Sequence, residues 1–244
     1  MKRVTLPGGL EVWALNATDA GVLHQQIFVN GAYDGHGLTL KDGDTVVDAG
    51  ANIGLATLWF ASKWKLRQVA IEPVPETFEA LKRNAPEVAL YNCALGETNG
   101  TAELTYDPFV SSTATMETPP HVDSGALAKD LGVPRVAAAG IGLVRRLARK
   151  KVRVPMRTLS DVIAEAKLEQ IDLLKLDVEG SEARVLAGIA EQDWPKLRQL
   201  IVETSNVQGI SATLRARGFS IVMDQEPFET FKQLGLHNLY AVRA

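Results

Sequence analysis

Hydrophobic and polar positions change period several times along the chain, and each change marks an element. Thr45, Val46 and Val47 form a short β-branched run inside DTVVDAGANIGL, whereas residues 52–62 carry Ile53, Leu55, Leu58 and Trp59 at helical spacing. The switch falls on Gly50 and Gly54, so the pattern predicts a strand over 44–48 and a helix over 53–63. Strands at 68–72 and 88–92, with a helix at 76–84 between them, complete a βαβαβ alternation, which builds a parallel sheet. Ahead of it, 2–15 reads as a hairpin around Pro7, Gly8 and Gly9, and 18–29 as a helix opened by Thr18 and Asp19. Residues 94–105, broken at Asn99-Gly100, read as a hairpin-like extension. The second half predicts a strand at 171–176, a helix at 181–191, a strand at 198–203, a helix at 209–217 and last strands near 219–223 and 237–243. No internal repeat or low-complexity tract interrupts this order.

The first strand ends on a carboxylate, Asp48, and turns over glycines into a helix, which is how an open α/β sheet holds the polar part of a nucleotide-like ligand. Gly50 removes a Cβ where the backbone must approach a ligand or take positive φ, and Gly54 is expected to let the helix sit close to the strand. The spacing Gly50-x-x-x-Gly54 is one residue wider than the first pair of a dinucleotide fingerprint and lacks the Lys-Ser/Thr ending of a P-loop. Asp48 would repel a pyrophosphate and suits a cationic amino group. Glu72, at the end of the second strand, is placed to accept both hydroxyls of a ribose. Together they point to a ligand with a ribose and an ammonium but no pyrophosphate.

The segments DTVVDAGANIG, VAIEPVPETFEALKRN, YNCALGETNG, LLKLDVEGSEARVLAGI and LIVET, in that order and at these spacings, resemble the S-adenosylmethionine-dependent methyltransferases of the FkbM family over residues 18–243. The resemblance implies a class I Rossmann-like α/β fold with a mostly parallel seven-stranded sheet and an antiparallel last strand. It implies S-adenosylmethionine as cofactor, with Asp48, Gly50 and Asn52 around its methionine part, Glu72 on the ribose, Asn92 to Ala94 beside the adenine, and Tyr33 near the cofactor. It also implies transfer to a hydroxyl oxygen of a natural-product, polyketide or saccharide substrate. The expected organisation is one methyltransferase domain over 1–244, with an N-terminal extension (1–43) and an insertion or lid covering the active site (107–154).

Composition fits this reading: 244 residues, 46% hydrophobic and 23% charged, are enough for one well-filled core. Cys93 is the single cysteine, which excludes an internal disulfide and a cysteine-based zinc site and predicts a reducing, cytoplasmic setting. The opening MKRVTLPGGLEVWAL has no apolar run of signal-peptide length, and no segment reaches membrane-spanning length.

Charge is unevenly spread. From Leu131 to Ser160 there are eight Lys or Arg residues and no acidic one, so with the whole chain at −3 the remainder sums to −11. Either this is a solvated helix face, or Arg145, Arg146, Arg149, Lys150 and Lys151 attract an anionic partner: an acidic, phosphopantetheine-bearing carrier protein, a phosphorylated sugar or an anionic lipid. Nucleic acid is disfavoured, because the segment lacks interleaved aromatics.

Chemistry is expected at the carboxyl ends of the strands. LLKLDVEG sets Lys175, Asp177 and Glu179 at alternating positions, on one face if the strand persists that far. In the alternative, one carboxylate caps the helix at Gly180 and Lys175 only neutralises the acids. With the resemblance, Asp177 and Glu179 lead the catalytic candidates, and Glu203 in LIVETSN follows. An ordinary carboxylate is a feeble base towards an aliphatic hydroxyl, so the proton acceptor needs a raised pKa, a histidine or a metal. Asp177, Glu203 and Asn206 are the candidate ligands of a Mg²⁺ ion, against the reading of two carboxylates without one. His121 in the cover and His237 at the start of the last strand are the histidine candidates, while His24 and His36 read as packing and turn residues. Two rivals to a methyltransferase stand beside it: a non-catalytic cofactor-binding module and an NAD-dependent oxidoreductase.

Overall fold

The computed structural model describes residues 1–108, 110–117, 122–225 and 228–243. β1 (Lys2–Thr5) and β2 (Glu11–Ala14) make the expected antiparallel hairpin. α1 (Ala17–His24) is capped by Asn16, whose side chain accepts from the N–H groups of Thr18 and Asp19, and Gln25–Val29 then widen into a π-helical segment where a plain helix to 29 was expected. Such widened turns recur at functional sites, and this one holds the buried Ile27.

The chain continues through β3 (Thr45–Ala49), α2 (Leu55–Lys63), β4 (Arg67–Ile71), α3 (Pro75–Asn84) and β5 (Ala89–Tyr91). It then passes through β6 (Ala94–Leu95), β7 (Gly100–Asp107), β8 (Val110–Thr115), α4 (Ser124–Leu131), α5 (Arg135–Ala148) and β9 (Lys150–Arg157). The last third is α6 (Leu159–Glu165), β10 (Leu173–Leu176), α7 (Glu182–Ala187), β11 (Gln199–Thr204), α8 (Val207–Ala216), β12 (Phe219–Asp224), α9 (Glu229–Leu234) and β13 (His237–Arg243).

Seven strands form the central sheet in the order β12-β13-β11-β10-β3-β4-β5, parallel except for β13, which runs antiparallel to both neighbours. This is the class I Rossmann-like sheet. From β3 the chain winds outward to β4 and β5, then returns to lay β10 on the other side of β3. The strand order therefore reverses between β3 and β10, and a crevice opens at their carboxyl ends. Both faces are covered, as a parallel sheet requires. Val46, Leu173, Ile201 and Tyr240 pack on one side with Ile53, Leu55, Trp59 and Phe60. Val47, Leu174, Leu200 and Val202 pack on the other with Leu159, Val162, Ile163 and Leu186. The same alternation sends Asp48 and Lys175, which are register partners across β3 and β10, to the face of Val46 and Leu173.

A four-stranded sheet of order β6-β9-β7-β8 stands beside the main one. It corrects one expectation. Residues 94–105 make no hairpin, because β9 lies between β6 and β7, with Met156 opposite both Ala94 and Gly100. The 107–154 insertion has no free ends: Asp107 closes β7 and Val154 lies inside β9, so the segment is sewn into a sheet that starts at Ala94. The predicted helix over 181–191 is shorter, ending at Gly188, where an added Cβ would lie 2.2 Å from the Gly96 carbonyl oxygen. The predicted strand over 171–176 starts at Leu173, and Ile171 makes only an isolated bridge to Leu197. Among the described residues, no helix is long and apolar enough to cross a membrane.

Candidate active site

Above the carboxyl ends of β3, β4 and β10 lies a pocket that encloses about 830 Å³ of empty space, the open solvent at its mouth included. Its floor is Gly50 to Ile53 and Asp177 to Glu179. One wall is Glu72, Pro73 and Cys93 to Leu95. The π-helical Ile27, Leu23 and Tyr33 close another side, and Leu104, Ala114 and Met116 of the small sheet complete it.

Backbone geometry explains the floor. The N–H groups of Gly50 and Ala51 both donate to the Ile71 carbonyl at 3.0 Å, folding the chain back as β3 ends. Gly50 has φ +81°, and an added Cβ would lie 1.7 Å from the carbonyl oxygen of Asp177. The glycine is demanded by the chain's own β10 end. Gly54 corrects the expectation of a close strand contact: its missing Cβ faces Leu81 of α3, where one would lie 2.8 Å from Cδ1.

Asp48 sits beneath this turn, 1% exposed. Its Oδ2 accepts from the Thr57 hydroxyl at 2.7 Å, and Oδ1 lies 3.2 Å from the Lys175 ammonium. Lys175, itself buried, also reaches the Gly50 carbonyl at 3.2 Å and Asp177 Oδ2 at 3.3 Å. Burial alone pulls the Lys175 pKa down, but Asp48, Asp177 and Tyr33 outweigh it and hold it well above its ordinary value. The expectation that Asp48 receives a ligand ammonium directly is therefore corrected: its counter-charge is Lys175, and it does not border the cavity.

Glu72 does border it. Its two carboxylate oxygens accept from the N–H groups of Asn52 at 3.0 Å and Val74 at 2.8 Å, and burial, only partly offset by these bonds, pushes its pKa up to about 7. Asn92, expected beside the adenine with Cys93 and Ala94, is not in the lining. Its amide donates to the carbonyls of Glu72 at 2.8 Å and Pro73 at 3.0 Å, holding the strand end in shape, and the neighbouring Cys93, Ala94 and Leu95 line the wall instead. Asn52 lines the floor with φ +52°, a conformation asparagine tolerates better than most residues. Tyr33 stacks on Phe60 at 5.4 Å and meets Trp59 edge-on at 5.7 Å. Burial raises its pKa, with Lys175 opposing and Asp177, Asp48 and Glu203 adding to the rise.

Strand β10 does not persist through LDVEG. It stops at Leu176, and Glu179 takes φ +55°, costly for a residue with a Cβ. The carbonyl of Glu179 accepts from the Thr115 hydroxyl at 2.6 Å, which ties the loop to β8. Asp177 and Glu179 still both face the cavity. Burial first, then repulsion from Asp177, Glu203 and Glu182, raises the Glu179 pKa well above the usual carboxylate range against the pull of Lys175. The acid that clamps the loop is Glu182: it accepts from the N–H groups of Gly180 at 2.9 Å and Val178 at 3.3 Å and from the Thr204 hydroxyl at 3.3 Å. Neither Asp177 nor Glu179 is that clamp.

Of the other candidates, Glu203 is the penultimate residue of β11 and acts on Glu179 and Tyr33 through its charge, without bordering the cavity. His237 opens β13 with Nδ1 2.9 Å from the Gly235 carbonyl oxygen and is not in the lining. His121 lies outside the described residues. Asn206 caps α8, accepting from the Gly209 N–H at 3.1 Å. Among the described residues, no group of three or more His, Cys, Asp and Glu side chains is arranged to hold a metal ion, so the Mg²⁺ reading has no support. Ser181, 1% exposed, presents a buried Oγ without a hydrogen-bond partner at the cavity wall. Thr57, Thr115, Ser181 and Glu182 were not anticipated; the Thr115 bond to Glu179 and the Thr204 bond to Glu182 join segments far apart in the chain.

The lining holds three acids, Glu72, Asp177 and Glu179, and one cationic side chain, Lys175. Three acids against one ammonium, one of the acids at the second strand end, together with a buried hydroxyl that has no hydrogen-bond partner, suit a ligand that is cationic and carries hydroxyls. The sheet order and this site define a class I S-adenosylmethionine-dependent methyltransferase. The chain belongs to the FkbM family: the model described as "Methyltransferase FkbM domain" matches residues 48–221. It is 35% identical over 100% of its length to 97% of the 31-O-demethyl-FK506 methyltransferase FkbM of Streptomyces tacrolimicus. It is 33% identical to the methyltransferase sdnD of Sordaria araneosa, covering 88% of each chain. It is also 30% identical over 98% of its length to 12% of the AMB antimetabolite synthetase AmbE of Pseudomonas aeruginosa. Family membership sets aside the oxidoreductase reading, which the glycine spacing already opposed.

Proposed function

We propose that the chain transfers the methyl group of S-adenosylmethionine to a hydroxyl oxygen of a natural-product, polyketide or saccharide substrate, with Glu179 as the proton acceptor. The observation that carries the proposal is Glu179 itself: a carboxylate at the cavity floor, held at positive φ, whose basicity is raised by burial and by three neighbouring acids. An aliphatic hydroxyl needs a base stronger than an ordinary carboxylate; Glu72 is raised as well, but its two oxygens already accept from the N–H groups of Asn52 and Val74, which leaves Glu179 as the candidate. The relative whose name specifies 31-O-methylation supports oxygen as the acceptor.

When bound, the cofactor supplies an electrophilic methyl group on a sulfonium. Glu72 is placed to accept from the ribose hydroxyls, while Cys93, Ala94 and Leu95 give the base an apolar wall. Asp177, partly neutralised by Lys175, supplies negative charge beside the positive end of the ligand. Tyr33, packed on Phe60 and Trp59, closes the site against water, and Leu104, Ala114 and Met116 cover it from the small sheet. The acceptor oxygen must come within about 3 to 3.5 Å of the methyl carbon, and its proton passes to Glu179.

The test is chemical. The purified chain is incubated with ¹³C-methyl-labelled cofactor and hydroxylated macrolides and saccharides, and the product is read by NMR. The expected label is a methoxy carbon. E179Q should keep the thermal shift given by S-adenosylhomocysteine while losing at least about a hundredfold in rate. Label on nitrogen or carbon, or an unchanged rate in E179Q, overturns the assignment.

A further inference from the structure

Helix α5 shows solvent the face that a packed helix hides. Val136, Leu143, Val144 and Leu147 recur at i, i+7, i+8 and i+11, one stripe of the helix, and are 86%, 50%, 57% and 75% exposed. The opposite side holds the helix down: Ala138 is fully buried, and the Arg145 guanidinium lies 2.6 Å from Asp107 at the end of β7. The stripe is about 16 Å long at the helical rise of 1.5 Å per residue, the length of a partner helix laid alongside.

The charges flanking the stripe divide into two sets. Arg145, Lys150 and Lys151 are answered by Asp107, Glu76 and Glu103, and Arg135 by Asp123. Arg146 and Arg149 are exposed, and among the described residues neither has an acidic partner. With no acidic residue from Leu131 to Ser160, the surface around the stripe is positive while the rest of the chain sums to −11. An apolar line edged by unanswered arginines complements a protein surface that is apolar along one helix and acidic at its sides. A lipid surface is the poorer match, since residues 131–160 contain no aromatic anchor. The position gives the surface a purpose. α5 rests on β7, β7 supplies Leu104 to the cavity, and the adjoining β8 supplies Ala114.

We infer that the outer face of α5 docks a small acidic carrier protein that presents the methyl acceptor to the cavity on a flexible arm. The inference rests on the methyltransferase reading, and its test separates the two. The probe is a fluorescently labelled acyl carrier protein bearing its phosphopantetheine arm, titrated by anisotropy with the full chain at low salt. Binding in the micromolar range is expected. It should weaken at least tenfold in R146E/R149E, weaken at least tenfold in L143S/L147S, and fall as salt rises. Both variants change exposed residues outside the cavity, and an unchanged thermal shift with S-adenosylhomocysteine shows that fold and cofactor site survive. No binding up to about 200 µM, equal affinity in both variants, or tighter association with phosphatidylglycerol vesicles than with the carrier overturns the inference, and each leaves the methyltransferase reading standing. Loss of the cofactor-product shift in the unmodified chain sinks that reading instead.

Discussion

Replacing Glu72 by Gln isolates one proton. The Glu72 carboxyl is 4% exposed and is held by the N–H groups of Asn52 and Val74, yet burial lifts its pKa to about 7 against an ordinary value of 4.5. The folded protein therefore binds this proton more tightly than the unfolded chain does, and stability falls as pH rises from 4.5 through 7. At 1.36 kcal/mol per unit, the loss is about 3 kcal/mol across that window. Ribose hydroxyls donating to Glu72 favour the ionised form, so cofactor affinity must move the other way and rise with pH. For a group near 7, the gain between pH 6 and pH 8 is about tenfold. Glutamine is neutral throughout. E72Q should lose both slopes, keeping an affinity near the low-pH value of the parent, since its side-chain oxygen still accepts one hydrogen bond. The assay is a calorimetric titration with S-adenosylhomocysteine at pH 6, 7 and 8, beside denaturant unfolding of the free protein at the same pH values. Comparing the two proteins removes the ligand's own amino group and the titration of Glu179 from the result. If parent and variant gain affinity with pH in parallel, Glu72 does not hold the ribose as an ionised carboxylate.

G50A places a methyl group where 1.7 Å separates it from the Asp177 carbonyl oxygen, at φ +81°. A cost of about 3 kcal/mol or more, some 6–12 °C in Tm for a chain of this size, is expected together with loss of the S-adenosylhomocysteine shift; a Tm within about 2 °C of the parent would show that the two strand ends separate freely. K175M leaves Asp48 buried with only the Thr57 hydroxyl, an uncompensated charge worth about 3 to 5 kcal/mol. The double variant D48N/K175M should recover a large part of that loss in urea unfolding, and a double variant no more stable than K175M alone would refute the pairing.

What could be read in advance was whatever one segment decides for itself. β3 announces its own period, and the residue that ends a parallel strand lies at the ligand edge of the sheet, so Gly50, Glu72 and Asp177 could be placed before any contact was known. What misled was chemistry settled between segments. Asp48 looked like a receptor for a ligand ammonium because an acid before the glycines would repel a pyrophosphate and suit a cation, yet a cation of the chain itself, 127 residues away, reaches it through the β3–β10 register. Asn92 sits beside a lining strand but spends its amide on Glu72 and Pro73, since a buried pair of carbonyls must be paired with something. Glu179 was legible as an acid and illegible as a strained one: it takes positive φ in a turn that Glu182 clamps through the N–H groups of Val178 and Gly180 and that Thr115, 64 residues away, ties to β8. The same division separates cofactor from acceptor. The part of the cavity proposed to take the cofactor is built from strand ends of the central sheet, which hydrophobic period locates. The cover comes from β7, β8 and their neighbours: β7 has a period of its own, with Ala102, Leu104 and Tyr106 buried and Thr101 and Glu103 exposed, but its partner β9 lies at the far end of the 107–154 segment and no local signal names it.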